Sequence, residues 1–403
     1  MTNNLSANVS KQKCSGNVSS GDILWIDDEV TLADFCKDAG REEFVCIDTE
    51  FHRDKTFYAQ LALVQVAAGK TVACIDPLAI KDLSPLDELL MKEEVIKIFH
   101  AGRQDLEVFF DRLGQVPMPI FDTQIAASLL GMGEQTGYAN LVKKMCSITL
   151  DKAHVRADWM RRPLDDGVIA YAADDVRYLP EIYLKLKNKL TTMERMSWLD
   201  EEQSVLCDPA TYNGNRSKSL EKVKGTKSLS GISLATADLL AVWREDVAMK
   251  ENRPRRWILS DENIVNIARQ RPRNKETLGC MRGFEESKSR RYGDKLISIV
   301  KEAENIPQDQ WPARTEGKYR DELFDDALLE ALVTVLKVQA KNNDVSVALL
   351  ASKSDLQKAA CGDRKIKLFN GWRNTLAGNT LSDFIDGKLS MQIEAGRLVL
   401  KSR

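Results

Sequence analysis

Phe44-Val45-Cys46-Ile47-Asp48-Thr49-Glu50 decides how the first half of this chain is read. Four consecutive apolar residues read as a buried strand, and the strand delivers two acids at i and i+2. Strand side chains alternate between faces, so Asp48 and Glu50 leave the same side of the sheet. An Asp-x-Glu triplet alone is common in solvated turns. Here it follows a buried strand, which puts both carboxylates at the carboxyl edge of a sheet, where α/β folds collect ligands.

Working outward, residues 60–68 and 71–76 are strand-like runs joined by Gly69-Lys70, a pair suited to a type II′ hairpin. With the Phe44 strand they form an expected antiparallel meander. Residues 85–92 read as a helix capped by Ser84. A buried strand over 95–99 ends at His100, and a helix over 104–113, closed by Gly114, carries Asp105. A short strand at Ile120-Phe121 precedes a helix over 123–130, with Asp122 read as its cap. A longer helix over 164–188 places Tyr171 and Asp175 at i and i+4 on one face, and Pro180 should kink or divide it. The expected product is an α/β domain, a mixed sheet with flanking helices.

At 403 residues the chain is long enough for two or three domains. Its 43% hydrophobic and 29% charged residues are ordinary for a globular protein. No apolar run approaches the roughly 20 residues of a membrane span, so no membrane association is expected. Residues 1–20 are rich in Ser, Asn and Lys without an apolar h-region, and read as a disordered tail with no secretory signal. The eight cysteines form no C-x-x-C pair, which argues against zinc-ribbon and thioredoxin-like chemistry and suits a reduced, cytoplasmic compartment. The net charge of −2 divides into −10 for residues 1–207 and +8 for 208–403. The acidic half suits cations and the basic half a polyanion. Residues 200–231 read as a polar linker. Beyond them the pattern turns helical. Leu240, Trp243 and Val247 form a stripe, Arg253-Pro254-Arg255-Arg256-Trp257 a basic turn with Trp257 read as core, and Ser260 a cap. A further helix spans 326–341.

Four carboxylates and a phenol on one surface suit two hard divalent cations, because Mg²⁺ and Mn²⁺ prefer oxygen ligands. Two such ions about 3.5–4 Å apart drive phosphodiester hydrolysis without a covalent enzyme intermediate. His100 could touch substrate or make a hydrogen bond at the strand end. Arg161 and Arg162 could meet phosphate or simply be solvated. Arg253 and Arg255 are phosphate candidates in the basic half. There is no G-x-x-x-x-G-K-[ST] loop.

The runs IDTEF (47–51), QLALVQV (60–66), FHAGRQDLEVF (99–109), FDTQIAA (121–127), DWMRRPL (158–164) and YAADDVRYL (171–179) resemble the DEDDy group of 3′–5′ exonucleases, and within it the bacterial ribonuclease D family. Trp243-Arg244-Glu245 and Asn252–Trp257 resemble its helicase-and-RNase-D C-terminal (HRDC) helical domain, and LFNGWR (368–373) a further helical domain. The resemblance implies a ribonuclease H-like nuclease domain at 21–205, a linker at 206–230, and two all-α HRDC-type domains at 231–312 and 320–403. It implies that Asp48, Glu50, Asp105 and Asp175 ligate two divalent ions, Mg²⁺ or Mn²⁺, with Asp48 bridging both and Tyr171 handling the water. Family spacing selects Asp175 over Asp174. The implied activity is stepwise hydrolysis of RNA from a free 3′ end, releasing nucleoside 5′-monophosphates, in maturation of tRNA precursors and other small structured RNAs. No obligate protein partner is evident. The alternatives are a 3′–5′ exonuclease acting on DNA and a non-catalytic RNA-binding protein that keeps the fold.

Overall fold

The structure is a computed structural model, and it describes residues 23–151, 157–213, 219–312 and 325–403. The expected tail at 1–20 lies outside the described residues.

The first unit runs β1 (Ile23–Ile26), α1 (Glu29–Ala39), β2 (Phe44–His52), β3 (Gln60–Ala68), β4 (Thr71–Ile75), α2 (Ser84–Met91), β5 (Ile96–Phe99), α3 (Arg103–Leu113), β6 (Ile120–Asp122) and α4 (Thr123–Leu129). It continues with α5 (Tyr138–Cys146), α6 (Asp166–Arg177), α7 (Leu179–Thr192) and α8 (Met196–Cys207). One six-stranded sheet has the order β1-β4-β3-β2-β5-β6. The β2-β3-β4 meander is antiparallel as expected, and Gly69 takes φ +56° at the hairpin. β1, β5 and β6 join in parallel. Val45, Ile47, Val64 and Val66 pack with α1, α2 and α3 on one face. Cys46, Leu63, Ala67 and Cys74 pack with α4 to α8 on the other.

Three local expectations change. β2 continues through Asp48 and Glu50 to His52, with a bulge at Glu50/Phe51, so the acids lie within the strand rather than after it. Ser84 is the first residue of α2 and no cap; the Asp82 carboxylate accepts its N–H instead. The 164–188 helix is two helices that meet at Tyr178, the divided alternative that Pro180 allowed.

The polar stretch at 200–231 is not structureless. Residues up to Cys207 belong to α8, Leu206 and Tyr212 pack into the first unit, and Val223 and Leu229 pack into the second. That second unit comprises α9 (Gly231–Glu251), α10 (Arg255–Ile258), α11 (Asp261–Gln270), α12 (Lys275–Gly279) and α13 (Glu286–Glu304), and it has its own core. The buried face of α9 carries Leu240, Ala241, Arg244, Glu245 and Ala248, so Trp243 and Val247 lie beside it rather than at its centre. The buried charges are paired: Arg244 donates to Asp261 at 2.6 Å, and Glu245 accepts from Lys222 at 2.9 Å and from Arg255. Such pairing is what makes buried charge tolerable.

The last unit is helical through α14 (Asp326–Asn342), α15 (Val347–Leu350), α16 (Lys353–Ala360) and α17 (Gly371–Arg373), which passes through a π turn into α18 (Asn379–Ile385). It closes on a hairpin, β7 (Leu389–Glu394) with β8 (Arg397–Ser402), that the periodicity did not suggest. Its core is continuous with the α4–α8 face of the sheet. Trp372 stacks on Trp198 at 4.8 Å, and Arg373 donates to Glu202 at 2.7 Å through Nη2.

Candidate active site

β2 presents Asp48 and Glu50 on the face that α6 covers, and α6 presents Tyr171 and Asp175 toward them. Carboxylate oxygens of Asp48, Glu50 and Asp175 lie within 4.8 Å of one another. Asp105 enters from the first turn of α3 and is buried, but it stands outside that tight group. The Thr49 hydroxyl, on the opposite face of β2, donates to its Oδ1 at 2.5 Å.

Burial and mutual repulsion act on all of these acids. Burial, then Asp105, Asp175 and Glu50, hold Asp48 well above the usual carboxylate range. Burial, then Asp175 and Asp105, push Glu50 up to about 8, and burial followed by Asp174 pushes Asp175 up to about 7. Burial raises Asp105 to about 6 against the Thr49 hydrogen bond. Tyr171 rises to about 12 through burial and the charges of Asp175, Glu50 and Asp48. A half-buried group of hard oxygen donors that repel one another is relieved by divalent cations and suits Mg²⁺-like ions far better than zinc. The donor set therefore fits a divalent metal.

Asp174 is engaged elsewhere, since Arg177 Nε donates to it at 2.7 Å, which leaves Asp175 as the α6 acid of the cluster. Asp122 caps α4, accepting from the N–H groups of Gln124 and Ile125, and also receives those of Ala101 and Gly102. The turn before α3 is thereby fixed. Gly102 is required there, because a Cβ would lie 2.4 Å from Phe99 Cβ.

The substrate-contact candidates separate. His100 turns inward, with Nδ1 at 2.9 Å from the Thr123 hydroxyl and its ring 5.6 Å from Tyr138, so it takes the strand-end role. Burial depresses its pKa against the pull of Asp122. Arg161 is exposed. Arg162 is no phosphate contact: it donates to both carboxylate oxygens of Asp76 at 2.6 and 2.8 Å and to the carbonyls of Ala62, Trp159 and Arg161. It ties down the loop that brings Trp159 to 6.5 Å from Tyr171. Arg255 is likewise committed to buried Glu245, and its guanidinium lies 4.5 Å over the Phe57 ring in the β2–β3 loop. Arg253 is half-exposed, lies 3.8 Å from the Glu251 carboxylate and sits 5.6 Å over Trp257. Trp257 is 46% exposed and is not a core residue, so the expectation for it fails: α10 is one turn long and buries Ile258 instead.

Three contributors escaped the sequence reading. Thr49 holds Asp105. Gln65, the cross-strand partner of Asp48, is fully buried, and neither amide atom has a hydrogen-bond partner among the described residues. Its position between Val64 and Val66, in the otherwise apolar stretch 61–66, is the signal that could have found it. Asn252, at φ +47° after α9, accepts the N–H groups of Phe57 and Tyr58 at 3.0 and 3.1 Å and so joins the second unit to the loop after β2.

Residues 23–191 match the family model for a 3′-5′ exonuclease, and residues 233–300 match the HRDC domain. The chain is 36% identical over 379 residues to ribonuclease D of Zymomonas mobilis, covering 93% of this chain and 97% of that one. It is 37% identical to ribonuclease D of Sphingobium indicum, with the same coverage. Among solved structures it resembles Escherichia coli RNase D, described as an exoribonuclease involved in structured RNA processing. That likeness has a TM-score of 0.78 at 28% identity, covering 91% of this chain and 99% of that one.

Proposed function

The chain belongs to the ribonuclease D family and is a 3′–5′ exoribonuclease, and we propose that its active centre is built from Asp48, Glu50, Asp105, Asp175 and Tyr171. The observation that carries this reading is the convergence of the Asp48, Glu50 and Asp175 carboxylates within 4.8 Å, from elements more than a hundred residues apart. The exonuclease fold and its acidic cluster point to divalent-metal dependence. We take the metals to be two Mg²⁺ or Mn²⁺ ions, held by the three converging acids together with Asp105. When bound, they supply positive charge at the attacking water and at the departing 3′ oxygen.

The remaining work falls to the chain's own side chains. Tyr171 keeps its proton at neutral pH, since an ordinary phenol near 10 is already protonated there. It therefore serves to orient the water rather than to deprotonate it. Asp48 on β2 feels the charges of both Asp105 from α3 and Asp175 from α6, so it would share in holding divalent cations with either. Thr49 keeps Asp105 from swinging into solvent. Hydrolysis releases nucleoside 5′-monophosphates.

The physiological substrates in this reading are tRNA precursors and other small structured RNAs with a free 3′ end, processed in the cytoplasm without an obligate protein partner. Supporting it are the +8 balance of residues 208–403 and, on the second unit, half-exposed Arg253 beside exposed Arg256 and Trp257. No described helix is long and apolar enough to cross a membrane. The domain limits that go with it are 21–205, 231–312 and 320–403, and within 206–230 Leu206 and Tyr212 pack against the first unit while Val223 and Leu229 pack against the second.

A 5′-labelled tRNA precursor with a 3′ trailer, run beside the matching DNA, tests this. The RNA should shorten stepwise from its 3′ end with Mg²⁺ or Mn²⁺ and stay intact in EDTA. Asp48→Asn should slow it at least about a thousandfold, the equivalent of roughly 4 kcal/mol of transition-state stabilisation. Internal cuts or activity in EDTA would overturn the mechanism. Equal shortening of the DNA would overturn the RNA preference.

A further inference from the structure

The junction between α6 and α7 is held by a side chain from a third helix. In an unbroken helix the N–H of Tyr178 would bond the carbonyl of Asp174. Here the Tyr138 hydroxyl, from the first residue of α5, stands between them. It accepts the Tyr178 N–H at 3.3 Å and donates to the Asp174 carbonyl at 2.8 Å. A side chain inserted into the i to i−4 ladder is one of the few physical causes of a sharp helix bend. Pro180, with no N–H, removes the next helical donor two residues on.

The carbonyl that Tyr138 grips belongs to the peptide linking Asp174 to Asp175. Asp175 hangs from the far side of that peptide, and its carboxylate meets Asp48 and Glu50. The ring of Tyr138 also lies 5.6 Å from His100, in the turn that leads to α3 and Asp105. Tyr138 thus touches both segments that bring acids to the strand.

We propose that Tyr138 is a positioning residue of the active centre: its hydroxyl fixes the α6–α7 junction and thereby the placement of Asp175 against Asp48 and Glu50. This rests on the assignment of Asp175 as a metal ligand. A hydroxyl is needed for it, because phenylalanine would fill the same space without joining the two backbone groups.

The test is Tyr138→Phe, which keeps the ring. Titration calorimetry of the full chain with Mn²⁺, without RNA, should show affinity about tenfold weaker, the scale seen when a group orienting a ligand is removed. Amide exchange at Tyr178 should accelerate, and kcat on a short 3′-tailed RNA should fall with KM unchanged. Asp175→Asn in the same titration separates the two ideas. If Asp175→Asn leaves Mn²⁺ binding intact, the ligand assignment fails. If Asp175→Asn weakens binding and Tyr138→Phe does not, the positioning role fails. A change in KM alone also overturns it.

Discussion

Asp48, Glu50 and Asp175 carry a stability consequence that follows from their burial and mutual repulsion. Their folded carboxyls hold protons that an unfolded chain releases near pH 4, with Asp175 raised to about 7 and Glu50 to about 8. In that window the unfolded state binds fewer protons than the folded one, so the cation-free protein loses stability as pH rises from about 4 through about 8. Its thermal midpoint should fall by several degrees between pH 5 and pH 8. Mg²⁺ should restore more at pH 8 than at pH 5, because the carboxylates must ionise to bind it. Scanning calorimetry checks this, with Glu50→Gln expected to flatten the slope; a flat profile in the unaltered cation-free chain would refute it.

At the scale of elements, one side chain serves two helices. Asp122 caps α4 and also receives the N–H groups of Ala101 and Gly102 ahead of α3, the helix that carries Asp105. Asp122→Ala should cost about 2 kcal/mol, the upper end for a lost cap, seen as a lower urea midpoint with an unchanged slope. Activity should drop further than stability explains, since the turn that aims Asp105 is released. This cap was legible in the sequence because Asp before Thr123 at the end of a short strand has a local signature. The commitment of Arg162 to Asp76 was not, because the two are 86 residues apart and an arginine in a loop reads the same whether it is solvated or paired.

For the whole molecule, the second unit meets the nuclease unit at the loop after β2. Asn252 holds the Phe57 and Tyr58 amides while Arg255, braced by Glu245, lies over the Phe57 ring. Asn252→Gly keeps the left-handed backbone and deletes the acceptor. Exchange of the two amides, followed by mass spectrometry, should accelerate without a change in the second unit's own core. If those amides stay protected, the contact does not hold the units together. The last unit is bound differently. It shares a continuous apolar core with the sheet and a Glu202–Arg373 pair, so its removal should destabilise the nuclease unit as well.

The apolar run Phe44–Ile47 with acids at 48 and 50, the hairpin glycine and the four-residue spacing of Tyr171 and Asp175 determined the meander and the face on which the acids lie, while the edge strand β1 had no such signal. Those are consequences of strand and helix periodicity, which is local. Whether an acid or arginine is available is decided by partners far along the chain. Thr49 holds Asp105, Arg177 takes Asp174, and Glu245 takes Arg255. Trp257 lies exposed because one short turn buries its neighbour Ile258. Charge pairing and burial depend on what the fold brings within a few ångströms, and that is fixed by tertiary structure alone.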